Sequence, residues 1–361
     1  MIHDVVHNCK YIDNGMTTVV VAPRILLAEQ LCKEFMEIME VMETTHTHVM
    51  HVHSGDVEFF HTTNPEKIHL FANTARGVGE NVIIFTTYHS LHRIQEADID
   101  VDNIYFDEAH NSVSRQFFPA TEFFSHEAGR AFFFTATPKH STTISKPGMN
   151  DPEVYGQVIA NVPAPKLVEE GYILPPKVVV KNLPTHEFQL SDSQNLIESI
   201  EENSVDKILV AARSTKQIIR LMSQSDFQVQ LTQRGYSCMY ITSKTGAVID
   251  GKKVSREQFF KTLNTWGVDP KKKFVVLHHS ILSEGINVKG LEAVIFMRNM
   301  DYISLSQSIG RVIRLGDKSK TFGLCVVPVY DRVGISTSRK LQAVVDTVFE
   351  QGEAAVSVVK R

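Results

Sequence analysis

The stretch Ile104-Tyr105-Phe106-Asp107-Glu108-Ala109-His110 runs two adjacent carboxylates and an imidazole directly off an apolar segment. In a parallel sheet, ligands bind outside the carboxyl ends of the strands. A carboxylate at such an end can hold magnesium, directly or through water. A second carboxylate, one residue on, can orient or deprotonate the attacking water. Phosphoryl transfer needs this division of labour, because the protein mainly positions groups and stabilises charge. The bland alternative is a strand ending in a solvated acidic turn. The full tetrapeptide after an apolar strand is far more specific than Asp-Glu alone.

Two further groups of residues fit the same chemistry. Thr135-Ala136-Thr137-Pro138 follows a second apolar run, "AFFF". Its two hydroxyls, spaced by one alanine at a strand end, can hydrogen-bond His110 and relay the state of a nucleotide; otherwise they cap a turn before proline. Further on, "SLSQSIGRVIRLG" (304–316) places Gln307, Arg311 and Arg314 at i, i+4 and i+7. On a helix these share one face, and Gly310 lets that face approach a neighbour closely. Paired arginines suit the stabilisation of charge on a transferring phosphoryl group.

Such residues need strand ends to stand on. Strands are expected at 17–23, 47–54, 81–88, 99–108 and 130–138, then at 177–183, 207–214, 237–243, 273–280, 291–298 and 323–329. Their apolar runs are continuous rather than alternating, which marks strands covered on both faces. Helices fit between them at 24–40, 215–224, 255–266 and 336–351. Strand–helix alternation gives α/β domains with parallel sheets. A Pro- and Gly-rich segment at 161–177 separates the two series. It divides the chain into 1–160, a linker 161–177, and 178–361.

Composition narrows the partners. The 361 residues suit about two domains at ~100–200 residues each. The formal net charge is −4, so nucleic acid must be gripped by local groups and not by a global basic field. Four cysteines, at 9, 32, 238 and 325, are too scattered for a disulfide or zinc framework. No apolar run approaches the ~18–20 residues of a membrane span, and the first residues lack a signal-peptide layout. The expected location is the cytoplasm.

Taken in order, the motifs resemble those of a superfamily 2 helicase of the DEAH-containing type, in particular the helicase-like proteins of phages and restriction systems. "VVVAPRILLAEQL" (19–31) resembles motif Ia, and "FTTYHSL" (85–91) the next segment that touches nucleic acid. "DEAH" (107–110) resembles motif II, "TAT" (135–137) motif III and "KILVAARSTKQ" (207–217) motif IV. "ILSEGINVKGLEAVIF" (281–296) resembles motif V, "QSIGRVIR" (307–314) motif VI, and 156–176 the bridge between two RecA-like domains.

The resemblance implies two tandem RecA-like domains that use ATP and Mg2+ to move along or unwind nucleic acid, DNA before RNA, in a bacterial or phage-infected cell. No membrane partner is expected, and nothing in the sequence points to an obligate oligomer. Asp107 would help hold magnesium and Glu108 would be the catalytic base. His110, Gln307, Thr135 and Thr137 would couple the nucleotide to the strand, Glu284 and Gly285 would lie near both, and Arg311 and Arg314 would face the γ-phosphate. Pro23, Arg24, Thr86, Ser214 and Thr242 fall where such proteins touch the nucleic-acid backbone, a mode that reads no sequence.

The sequence departs from that pattern at one place above all. A G-x-x-x-x-G-K-[ST] phosphate loop is expected before the 17–23 strand, and only residues 1–16 precede it. Ile2, Val5, Val6 and Cys9 recur at helical spacing, so the chain is expected to start inside the helix that follows such a loop, with the loop's own strand missing. The reading is a fragment, or else a module that binds nucleic acid without ATPase activity; the motor of a restriction system is a third reading. "GAVIDGKK" (246–253) fits G-x-x-x-x-G-K, but Lys253 replaces the hydroxyl and the segment is read as a variable loop. Asn287 stands where many relatives carry Asp. His46, His48, His51 and His53 read as partly exposed strand residues, the first two on one face and the last two on the other. Trp266 reads as packing under its helix.

Overall fold

The structure is a computed structural model that describes the chain except for residues 12–14, 43–45, 144, 184–191, 243, 280–287, 289, 299, 316–319, 331–334, 354–355 and 360–361. It divides into two compact units: Met1–Ile159 with Val356–Arg361, and Ala160–Ala355.

The first unit opens with α1 (Ile2–Tyr11), β1 (Thr17–Ala22), α2 (Ile25–Val41), β2 (Thr47–Val52), β3 (Phe60–His61) and α3 (Pro65–Gly77). It continues through β4 (Asn81–Thr87), α4 (Leu91–Glu96), β5 (Asn103–Phe106), α5 (Phe118–Glu127), β6 (Arg130–Phe133), β7 (Lys139–Ser141) and α6 (Pro152–Tyr155). Six strands form one sheet in the order β3-β2-β4-β1-β5-β6, and every pairing is parallel. β1 shows why. Its residues alternate between two cores: Val19 and Val21 join Ile84, Ile104 and Phe106 under α3, α4 and α5. Val20 and Ala22 join Ile83, Phe85 and Tyr105 under α1 and α2. Each such buried aliphatic side chain contributes about 1.5–3 kcal/mol.

The helical spacing at the start of the chain is realised in α1, whose Val5, Val6 and Cys9 are buried. Tyr105 Oη donates to Asp4 Oδ2 at 2.5 Å and ties α1 to β5. Among the described residues no strand precedes β1, and β6 is an edge strand with β5 as its one neighbour.

The second unit holds α7 (Ala164–Glu169), β8 (Pro176–Leu183), α8 (Asp192–Asn203), β9 (Lys207–Ala211), α9 (Thr215–Ser223), α10 (Phe227–Gln233), β10 (Tyr236–Thr242), β11 (Gly246–Ile249) and β12 (Lys252–Val254). Then come α11 (Arg256–Val268), β13 (Lys273–His278), β14 (Ala293–Phe296), α12 (Tyr302–Val312), β15 (Gly323–Tyr330) and α13 (Ile335–Val344). The sheet order is β12-β11-β10-β13-β9-β14-β15-β8. It is parallel except at β10–β11 and β11–β12. The last strand, β16 (Ser357–Val359), belongs to the first unit and pairs with β7.

Three expectations change. Residues 246–253 are not a loop of any kind: they fill β11 and β12, a hairpin turned at Asp250-Gly251 with φ of 46° and 79°. Positive φ at both turn residues is what a two-residue type I′ hairpin turn demands, and Gly251 runs directly into the strand Lys252–Val254 rather than opening a helix that could cradle phosphate. The 336–351 helix is α13 followed by a π-helical turn at Val345–Glu350. Among the four histidines, His46 and His48 are exposed and pair with Glu80, but His51 and His53 are buried. His51 Nδ1 lies 3.0 Å from His53 Nε2, and His51 stacks on Phe59 and Phe85. Trp266 packs beside Phe274, with the Lys272 ammonium 4.0 Å from its ring centre.

Candidate active site

The site of the first unit stands at the carboxyl end of β5. The Asp107 amide donates to the Val21 carbonyl at 2.9 Å, extending the sheet ladder by one residue. The backbone then turns sharply. Glu108 adopts φ 46° and ψ 50°, a left-handed conformation that costs a non-glycine residue about 1–2 kcal/mol. A short 3-10 turn, Ala109–Asn111, follows. It is fixed by the Ala109 amide on the Phe134 carbonyl at 2.8 Å, and by the Asn111 amide and side chain on the Glu108 carbonyl at 3.0 and 2.9 Å.

This turn brings the two signals of the sequence together. His110, 7% exposed, has its Nδ1 3.1 Å from Thr135 Oγ1 and 3.3 Å from Thr137 Oγ1. Glu108 Oε2 lies 3.4 Å from the same nitrogen. Thr135 Oγ1 accepts the Thr137 amide at 3.1 Å, which leaves its proton free to point at Nδ1 of a neutral imidazole that carries its hydrogen on Nε2. On a protonated imidazole the Nδ1–H faces the carboxylate and two oxygens instead. The cluster can therefore change its hydrogen bonds with one proton.

Burial pushes the Asp107 carboxyl above its ordinary range; the Glu108 amide pulls it back in part, and Glu34 on α2 pushes it up again. Behind the site, Tyr88 Oη donates to the Asp107 carbonyl at 2.8 Å, and its ring stacks on Phe106 and Phe117. Ser112, which donates to the Ala109 carbonyl at 2.7 Å, also meets Tyr155 Oη at 2.8 Å.

In the second unit, Gln307 and Arg311 lie on α12, whose N-terminus is capped by Asp301 accepting from the Ser304 amide at 2.8 Å. Arg311 is 4% exposed. Arg314 does not share their face. The helix ends at Val312, and Arg314 is an exposed residue bridged to Ile173. The reason is local: the Leu174 amide takes the Ile313 carbonyl at 2.7 Å and draws the chain out of the helix.

The model for the type III restriction enzyme res subunit matches residues 2–140, and that for the helicase conserved C-terminal domain matches residues 191–316. The fold is similar to that of the ATP-dependent Type ISP restriction-modification enzyme LlaBIII bound to DNA (TM-score 0.74, 16% identity, 97% of this chain and 28% of that one). The chain is a superfamily 2 helicase-like protein with two RecA-like domains.

The helicase fold is also similar to a nuclease-deletion mutant of the Type ISP enzyme LlaGI in complex with a DNA substrate mimic (TM-score 0.65, 18% identity, 99% of this chain and 27% of that one). A third likeness is to Mss116p bound to ssRNA and AMP-PNP (TM-score 0.56, 14% identity, 99% of this chain and 67% of that one). At these identities the likeness is one of fold. The chain spans just over a quarter of the two Type ISP enzymes. No curated protein matches it.

The residues expected on nucleic acid are scattered in character. Arg24 is exposed at the start of α2, and Pro23 beside it is buried. Thr86 is fully buried and gives its hydroxyl to the Val52 carbonyl at 2.8 Å, so its side chain is spent inside the sheet. Thr242 is buried too, and its hydroxyl holds the Thr245 amide at 2.9 Å. Ser214 caps α9 by accepting from the Gln217 amide. Glu284 and Gly285, with Asn287, lie outside the described residues. Tyr88 lies in the 85–91 segment but carries a contact that no residue type announces: only the fold brings its hydroxyl to the Asp107 backbone.

Proposed function

We propose that this helicase-like protein hydrolyses ATP and uses the energy to move along or unwind nucleic acid, DNA before RNA, as a helicase or as the motor of a restriction system. The observation that carries the reading is the convergence of Glu108 Oε2, Thr135 Oγ1 and Thr137 Oγ1 on His110 Nδ1, one turn beyond Asp107. A carboxylate that must take a proton from water is there in contact with a group that can report it.

The residues fit magnesium. Asp107 is half-buried, burial raises its pKa, and among the described residues no cationic side chain stands with the groups that act on it. A hard divalent cation suits such a carboxylate, since magnesium binds through one or two carboxylates plus substrate phosphates. When bound, it neutralises charge on the phosphate oxygens. Glu108 orients and deprotonates the water. His110 passes the protonation state of Glu108 to Thr135 and Thr137. Arg311 and Arg314 are the cations proposed for developing phosphate charge, and Gln307, Glu284 and Gly285 the residues proposed to serve the nucleotide with them. Pro23, Arg24 and Ser214 are the proposed backbone-contact residues, whereas Thr86 and Thr242 have their hydroxyls engaged by Val52 and Thr245 within the protein.

DNA is favoured by the two Type ISP structures, one bound to DNA and the other in complex with a DNA substrate mimic. The restriction-motor form is favoured by the res-subunit match over residues 2–140. Phosphate release by the intact gene product, measured alone, with duplex DNA and with RNA, tests this. Stimulation by DNA is expected. Equal rates in all three would remove the reading.

A further inference from the structure

The end of α12 is laced down from several sides. The Ile313 carbonyl accepts the Leu174 amide at 2.7 Å. Arg314 forms an antiparallel bridge with Ile173. Gly323 begins β15 so close that a Cβ there would stand 2.6 Å from the Val312 carbonyl oxygen. The fourth tie is a side chain. Lys320 Nζ donates to the Arg314 carbonyl at 2.9 Å and to the Leu291 carbonyl, just before β14, at 2.5 Å.

Arg314 needs such a tie. It lies beyond the last helical residue and is exposed, so the helix ladder does not fix its backbone. An ammonium held by two carbonyls makes charge-assisted hydrogen bonds, which are roughly twice as strong as neutral ones. A merely solvated lysine would keep its head in water; this one is half-buried and ends on backbone. We propose that Lys320 is a positioning residue for Arg314: by clamping the Arg314 carbonyl to that of Leu291, it sets the direction in which the Arg314 guanidinium leaves the chain. This rests on the reading of Arg314 as a phosphate-facing cation.

The surroundings make the clamp sensitive to pH. Burial pulls the Lys320 ammonium down to about 8; Glu292, beside Leu291, holds it up, and Lys207 at the start of β9 pulls it down further. Above that pH the charge that strengthens both hydrogen bonds is lost. Arginine in place of Lys320 stays charged throughout.

The test is steady-state ATP hydrolysis by the intact gene product across the alkaline range, with Lys320→Met, Lys320→Arg and Arg314→Gln. A positioning loss of this kind is expected to lower kcat about tenfold in Lys320→Met, with KM for ATP little changed. Wild-type kcat should fall as pH rises through about 8, and Lys320→Arg should lack that fall. Wild-type kcat in Lys320→Met beside a defective Arg314→Gln would remove the clamp and leave the arginine reading standing. Wild-type kcat in Arg314→Gln would remove both. If Lys320→Met does not fold, the Lys320→Arg profile decides, and an unchanged alkaline fall overturns the proposal.

Discussion

His110 Nδ1 lies 3.1 Å from Thr135 Oγ1. With Thr137 Oγ1 at 3.3 Å, the imidazole has two hydroxyl partners from one short segment. If these report hydrolysis, removing them should uncouple rather than disable. Thr135→Val with Thr137→Val is expected to lower nucleic-acid-stimulated hydrolysis about tenfold, the cost of roughly 1.4 kcal/mol of lost hydrogen bonding. Basal hydrolysis should change little. The ratio of stimulated to basal phosphate release is the measurement.

Glu108 combines a reactive carboxylate with a strained backbone. Strain of this kind persists where function demands it. Glu108→Gly relieves it and removes the carboxylate together. The variant should unfold about 1 kcal/mol less readily than wild type and hydrolyse no ATP. Denaturant unfolding beside an ATPase assay reads both effects; a destabilised Glu108→Gly would argue against strain at this turn.

Tyr88 donates to the Asp107 carbonyl from a fully buried position. Tyr88→Phe keeps the stacking on Phe106 and Phe117 and leaves that carbonyl without its donor. A loss of about 1–3 kcal/mol in unfolding free energy is expected, with a lower kcat because the Asp107 backbone is freed. Urea titration and initial rates check the two parts.

Much of this was legible in the chain because the strands are continuous apolar runs. β1, β4 and β9 are buried on both faces, so no alternation was needed to find them. α3 was not read, since its buried side is only Ile68, Ala72 and Ala75 and the Asn64-Pro65 start was its one clear signal. The hairpin at Asp250-Gly251 carried its own turn signature, hidden under a G-x-x-x-x-G-K spacing. The His110–Thr135 contact followed from residue types at two strand ends. The end of α12 did not: Leu174, Lys320 and Gly323 reach it from other parts of the chain, and helical spacing alone put Arg314 on the wrong face. The burial of His51 likewise depends on Phe59 and Phe85, which sequence spacing does not bring together.

His51 and His53 add an acid limit. Burial, then the neighbouring His53, brings His51 from 6.5 down to about 4, and burial with His61 does the same for His53. The unfolded chain thus takes up protons that the folded one refuses, and stability falls as pH drops from about 6.5 toward 4. His51→Phe, which keeps the ring stacking, should make the slope of unfolding free energy against pH shallower by about one proton in that window. An unchanged slope would place the acid sensitivity elsewhere.

The central claim is that Glu108 takes the proton from the attacking water. Glu108→Gln keeps the turn, the size and a hydrogen-bonding oxygen, and loses only the base. Phosphate release by wild type and Glu108→Gln, each with and without DNA, tests it most directly. The account predicts DNA-stimulated release in wild type and a fall of about 100-fold or more in the variant, with DNA binding retained. DNA-stimulated release at the wild-type rate in Glu108→Gln would contradict it.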